Sequence, residues 1–213
     1  APSPGAWVTP WKVHPLNNNM IVGGWKQVYR SLDGSATWDS LSNFAFASWQ
    51  YIDELALAPS DVNYIYVSNR YIDSLFMTND AGLSWVEKSF PIQNSYPHEV
   101  TDILVSPNNP EEIFITLGGW KKNKKVFKSM DSGDSWINIS TPNGGNLPNV
   151  PVHCIVFQNN AKNDLYVGTD LGVYYRDSTM SSWMPFMTGL PNVPVTELEI
   201  HYGTGKIRAS TYG

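Results

Sequence analysis

The 213-residue sequence predicts an all-β protein: a β-propeller, or a fragment of one, with about four and a half four-stranded antiparallel blades. Three observations predict it. A turn-forming octapeptide ending in tryptophan recurs along the whole chain. A Pro/Asn turn precedes each copy at a matching place, and short β-rich runs lie between the two. Composition agrees. With 42% hydrophobic and 15% charged residues the chain is no disordered segment. Nine Trp, eleven Tyr, 16 Gly and 15 Pro suit short strands joined by many turns.

Each blade opens with a strand that ends in a turn. Val13-His14-Pro15-Leu16-Asn17, Leu57-Ala58-Pro59-Ser60-Asp61 and Val105-Ser106-Pro107-Asn108-Asn109 align, and Val156-Phe157-Gln158-Asn159-Asn160 joins them with Gln158 in place of proline. A second strand follows in Met20-Ile21-Val22, Tyr64-Ile65-Tyr66-Val67, Ile113-Phe114-Ile115 and Leu165-Tyr166-Val167. After a variable loop comes a third strand, such as Val28-Tyr29-Arg30-Ser31 or Val126-Phe127-Lys128-Ser129. The octapeptide then turns the chain into a fourth strand. Its copies carry Ser31, Asp33 and Trp38; Thr78, Asp80, Gly82 and Trp85; and Ser129, Asp131, Gly133 and Trp136, with a degenerate copy at Asp177 and Trp183. Those aspartates lie roughly 46 to 51 residues apart, a period that suits one blade and not a sandwich strand. Leu147-Pro148-Asn149-Val150-Pro151-Val152 also returns as Leu190-Pro191-Asn192-Val193-Pro194-Val195. The blades are therefore placed at about 8–49, 50–99, 100–149 and 150–192, with an incomplete one at 193–213, and the whole chain is read as a partial propeller. The remaining blades are expected from the parent chain or from another chain.

The octapeptide resembles S-x-D-x-G-x-T-W, the Asp box or BNR repeat of sialidase-like propellers, with Ser35 in place of the usual glycine in the first copy. The resemblance implies that the Asp and Ser/Thr side chains close their own hairpin and that the tryptophan packs between sheets. Asp and Ser are chemically suited to that role. It implies little about activity, because propellers carry many functions. Phrases such as Val8-Thr9-Pro10 and the ending Ile207-Arg208-Ala209-Ser210-Thr211-Tyr212-Gly213 resemble secreted Bacteroidetes-type repeat proteins, which implies a bacterial secreted or cell-surface location. The opening Ala1-Pro2-Ser3-Pro4-Gly5 reads as a mature end or an artificial boundary and not as a native start.

Several chemistries are disfavoured. A net charge of -5 argues against nucleic acid, which selects basic faces. No apolar run approaches a membrane span. The lone cysteine, Cys154, is expected in the core, and no metal or cofactor motif is present. Sialidase activity would need an arginine triad, whereas the four arginines are Arg30, Arg70, Arg176 and Arg208, two of them on third strands. The enzyme alternative is a fragment of a xyloglucanase-like glycoside hydrolase, a family that also stacks Asp-box blades. It would need two carboxylates facing a groove, and Glu54 and Asp102, with His153 in register, are weak candidates on first strands.

The favoured reading is a non-catalytic module for protein or glycan recognition, or a scaffold. Its contact face is placed on the loops between second and third strands, where variable sequence sits on a fixed frame. The candidates there are Trp25, Arg70, Tyr71, Trp120, Lys121 and Asp170. Trp25 and Trp120 sit in matching Gly-Trp-Lys contexts and suit either packing or contact with a sugar or a protein partner. Lys121-Lys122-Asn123-Lys124-Lys125 reads as a solvated hairpin tip or as a contact for an anionic ligand.

Overall fold

The computed structural model describes residues 5–69, 74–88, 90–91, 100–140 and 147–212. Strands β1 (Trp11–His14), β2 (Asn17–Gly24), β3 (Val28–Ser31) and β4 (Asp39–Ser40) form the first sheet. The second contains β5 (Glu54–Leu57), β6 (Ile65–Asn69), β7 (Ser74–Thr78) and β8 (Val86–Lys88). The third contains β9 (Val100–Val105), β10 (Ile113–Leu117), β11 (Val126–Ser129) and β12 (Ile137–Asn138). The fourth contains β13 (Val152–Gln158), β14 (Asp164–Thr169), β15 (Gly172–Arg176) and β16 (Met184–Pro185). Each is a meander in which sequence neighbours pair, the blade architecture of a β-propeller. A fifth sheet has two strands, β17 (Val195–His201) and β18 (Lys206–Thr211).

Burial follows position within the blade. The second strands β6, β10 and β14 are buried at every residue, as expected of strands covered on both faces. The fourth strands β4, β12 and β16 are exposed throughout.

The turn into the fourth strand is held by its own side chains. Ser31 Oγ donates to Asp33 Oδ1 at 2.7 Å and accepts from Ser35 N at 2.8 Å. Asp33 in turn accepts from Thr37 N at 2.9 Å and from Thr37 Oγ1 at 2.6 Å. Thr78, Asp80, Gly82 and Ser84 repeat this pattern, as do Ser129, Asp131, Gly133 and Ser135. These bonds hold the carboxyl groups of Asp33, Asp80 and Asp131 down to about 2, with the Thr37, Ser84 and Ser135 hydroxyls the largest cause. The fourth turn is built differently. Asp177 accepts from Thr179 N at 2.8 Å and from Thr179 Oγ1 at 2.7 Å, two residues on instead of four.

The chain divides into two compact units. The first is residues 1–96, 105–113 and 129–135; the second is 97–104, 114–128 and 136–213. In the first, Val22, Val28, Ile52, Leu55, Ile65 and Val67 form a core against which Phe44, Phe46, Phe76 and Trp85 pack. Trp85 Nε1 donates to Leu41 O at 2.7 Å, tying the second sheet to the chain leaving the first. In the second unit, Phe114, Val126, Val152, Ile155, Val167 and Trp183 share a core. Trp183 is fully buried and its Nε1 donates to Ile139 O at 2.8 Å, the same clasp one pair of sheets along. A buried indole therefore supplies both apolar area and a satisfied polar edge. No helix among the described residues is long and apolar enough to cross a membrane.

Candidate functional site

A polar cluster lies in the second unit, and a strand irregularity creates it. The register of β13 on β14 slips between Val152, which faces Thr169, and Cys154, which faces Gly168. His153 is the extra residue. Bulges re-aim a side chain that would otherwise follow the pleat. Here the His153 Nε2–H donates to Asp170 Oδ1 at 2.7 Å, and both side chains are about a quarter exposed. Asp170 sits in the tight connection between β14 and β15. Its backbone N–H donates to Pro151 O at 3.3 Å, and Thr169 Oγ1 braces the turn by donating to Gly172 O at 2.9 Å. The same slip recurs at Thr196 on β17, between Val195 and Glu197.

Lys125 adds a cation to the cluster. It is fully buried, and its Nζ donates to Gly119 O at 2.8 Å. Burial pushes its ammonium below the ordinary lysine value, and the nearby Asp170 carboxylate pulls it back up. The solvated tip expected for the whole lysine run therefore does not extend to Lys125. Lys121 and Lys122 are exposed. The connecting loop is anchored: Asn123 N donates to Asn149 Oδ1 at 2.8 Å, and Asn138 Nδ2 donates to Asn123 O at 2.8 Å. Trp120 stands on this loop at 70% exposure with no ring contact among the described residues.

Trp25 behaves differently despite its matching sequence context. Its ring meets Tyr29 and Trp38 edge to face, both at 5.6 Å between centroids. It also covers Gly23, where an added Cβ would come within 2.3 Å of the indole. Gly23 lies inside β2 and so opens a recess for the ring, whereas Gly118 and Gly119 fall beyond the end of β10. Trp25 packs on its own sheet and Trp120 projects. Arg70 and Tyr71 lie outside the described residues.

The two candidate carboxylates fall in separate units. Glu54 opens β5 in the first and is half-buried. Asp102 belongs to the second, where its Oδ2 accepts the Ile155 backbone N–H at 2.9 Å. Its neighbour Thr101 donates to Val152 O at 2.6 Å. Together they staple β9 to β13 on either side of His153. The Asp102 charge adds to burial in pushing the Cys154 thiol up to about 12. Sequence reasoning named Asp170 but not its pairing with His153 or the burial of Lys125. Among the described residues no group of three or more His, Cys, Asp or Glu side chains could hold a metal ion.

No family model matches the chain. Xyloglucanase Xgh74A of Acetivibrio thermocellus is 26% identical over 113 residues, which is 45% of this chain and 13% of that enzyme. The chain thus spans a small part of its curated relative. The GH74 xyloglucanase of Xanthomonas campestris superposes with a TM-score of 0.65 at 18% identity, over 91% of this chain and 32% of that one. YCF48 bound to D1 peptide superposes with a TM-score of 0.62 at 12% identity, over 99% of this chain and 69% of that one. These likenesses show the propeller fold, and the first two place xyloglucanases among the proteins this chain is similar to.

Proposed function

We propose that this chain is a polysaccharide-recognition segment of a larger, bacterial, secreted or cell-surface propeller protein related to the GH74 xyloglucanases. The self-closing hairpins are read as Asp boxes that stiffen the scaffold, and the loops between second and third strands as the contact face. One observation carries the reading: Trp120 stands exposed on a loop that Asn149 and Asn138 anchor, with the buried Lys125 bonded to Gly119 O at its base. An exposed indole beside hydrogen-bonding groups suits the flat apolar face and hydroxyl rim of a sugar ring. The sequence match to a xyloglucanase supports carbohydrate as the ligand class. A peptide-binding propeller among the structural neighbours keeps protein as the competing ligand.

The test is affinity electrophoresis of the chain in gels containing xyloglucan or other plant polysaccharides, with reducing-sugar release assayed in parallel. Retardation without hydrolysis is the expected result. Failure to bind any polysaccharide would remove the proposal.

A second reading, hydrolysis by Glu54 and Asp102, is favoured by the same xyloglucanase match. The backbone bond to Asp102 gives that carboxylate a structural task instead. Hydrolysis by the chain that disappears in Glu54→Gln and Asp102→Asn variants would establish this second reading.

A further inference from the structure

Two junctions between sheets share one construction. Trp85, just before β8, donates to Leu41 O, and Trp183, just before β16, donates to Ile139 O. Each accepting residue follows a fourth strand, and its own N–H donates to the third strand of that sheet: Leu41 N to Val28 O at 2.8 Å, Ile139 N to Val126 O at 3.0 Å. An aromatic residue of the covering third strand packs alongside, Phe76 in one junction and Tyr174 in the other. Phe186 holds the accepting position for the fourth sheet. It follows β16, and its N–H donates to Val173 O at 2.8 Å. Its carbonyl accepts no hydrogen bond among the described residues. Its side chain lies against Tyr166 and Tyr175 and is 50% exposed, against 6% for Ile139. The fifth sheet is open at the matching place. Ala209 stands opposite Leu198 as Val167 does opposite Ile155 and Val67 opposite Leu55. Both valines are fully buried, whereas Ala209 is exposed. On their other side those valines face Tyr174 and Phe76. Phe186 and Ala209 are thus uncovered where, elsewhere, a third strand and its tryptophan lie. The four hairpins of this kind among the described residues already sit in their own sheets, so the cover comes from elsewhere.

We propose that the outer edge of β18 and the surface around Phe186 form a docking site for a tryptophan-bearing β-hairpin of another chain. The first strand of that hairpin pairs with β18 and sets an aromatic side chain beside Ala209. Its tryptophan then donates Nε1–H to Phe186 O. Pairing along the edge uses backbone groups that any strand could offer, so the aromatic side chain and the indole make the selection. This protein contact goes beyond the polysaccharide reading and does not depend on it.

The test titrates the whole chain, dilute enough to sediment as a monomer, with a fluorescent synthetic hairpin of residues Ser74–Lys88. Cysteines added at its two ends close the hairpin by a disulfide, because an isolated hairpin is only marginally stable. Saturable binding is expected by anisotropy, with amide hydrogen exchange slowed at β18. Trp85→Phe in the hairpin keeps a ring and removes the donor, and should weaken binding about fivefold. Phe76→Ala in the hairpin should weaken it about tenfold. In the chain, Ala209→Lys should remove binding, because it sets a charge on the edge where the aromatic side chain must lie. Ala209 is exposed, and an unchanged circular dichroism melt checks that the variant is folded. No saturable binding, binding that survives Ala209→Lys, or slowed exchange away from β18 would overturn the site. A Trp85→Phe hairpin that binds as tightly as the parent would overturn the indole–carbonyl contact. Slowed exchange at β18 that rises with the concentration of the chain alone, and ignores the hairpin, would name a second copy as the occupant and overturn the proposal. Polysaccharide binding by Ala209→Lys should match the parent chain, so failure of the hairpin site leaves the earlier reading standing.

Discussion

At the scale of single residues, the fourth blade shows how little room its neighbours leave. An added Cβ at Gly168 would lie 2.6 Å from Cys154 Sγ and 2.7 Å from Val195 O. One of those atoms is backbone, so local side-chain motion cannot relieve the clash. Gly168→Ala should therefore destabilise the chain by about 1–3 kcal/mol, read as a lowered midpoint in urea or thermal unfolding. The thiol beside it gives an independent reading of the same packing. Burial and the Asp102 charge raise Cys154 to about 12, so very little thiolate exists at neutral pH. Ellman's reagent should leave Cys154 unmodified in the folded chain and label it completely in guanidinium chloride. Rapid labelling without denaturant would show that the β13–β14–β17 packing opens. Cys154 was legible as a core residue from its apolar surroundings. The His153–Asp170 bond was not, because a one-residue slip in β13 decides where the imidazole points and no sequence period encodes that slip.

The hairpin before each fourth strand is the element most open to reading from sequence. Its bonds run between residues two and four apart, so the motif contains its own partners. The degenerate copy marks the limit: Tyr175 stands where the good copies have Ser or Thr two residues before the aspartate, and although Ser181 lies four residues beyond it, Asp177 accepts from Thr179. Two predictions belong here. The carboxyl groups of Asp33, Asp80 and Asp131 sit near 3.8 when unfolded and near 2 when folded. A depressed folded value means that the unfolded chain takes up protons first. The stability these groups contribute is therefore complete above about pH 5 and is lost as the pH falls toward 2. Urea midpoints measured down through this range should fall, and Asp131→Asn should flatten that fall. The second prediction concerns the residue two beyond the aspartate. It has positive φ in all three good copies: 81° at Ser35, 92° at Gly82 and 94° at Gly133. Gly82 is required twice over, since a Cβ there would meet Leu41 Cβ at 2.7 Å. Ser35 bears the left-handed cost with a side chain. Ser35→Gly should raise stability by up to about 1 kcal/mol, a gain reduced by glycine's greater freedom when unfolded. An unchanged or lowered denaturation midpoint would show that the Ser35 side chain offsets its own strain.

Across the whole molecule, the blade count sets the remaining expectation. Among the described residues four sheets have four strands each, and the fifth has two. Among the described residues β18 pairs only with β17, so its outer edge presents unpaired N–H and C=O groups. Its residues are exposed nearly throughout, and Tyr212 beyond it is 78% exposed. In β17, by contrast, Val195 and Leu198 are buried against Cys154 and Tyr166, so the sheet is seated on one side and open on the other. An edge of this kind is a template for further pairing. Strand exchange needs no specific side chain, only a second edge in reach, and two copies of this chain supply one each. The 213-residue chain on its own should therefore associate as its concentration rises, with the sedimentation coefficient increasing across the accessible range. A lysine placed at Ala209, in the middle of the edge strand, should suppress that association without altering the melt, because charge on an edge opposes pairing while the seated face of β17 stays intact. A chain that remains monomeric at every concentration would mean that the open edge of β18 is too short or too twisted to recruit a strand.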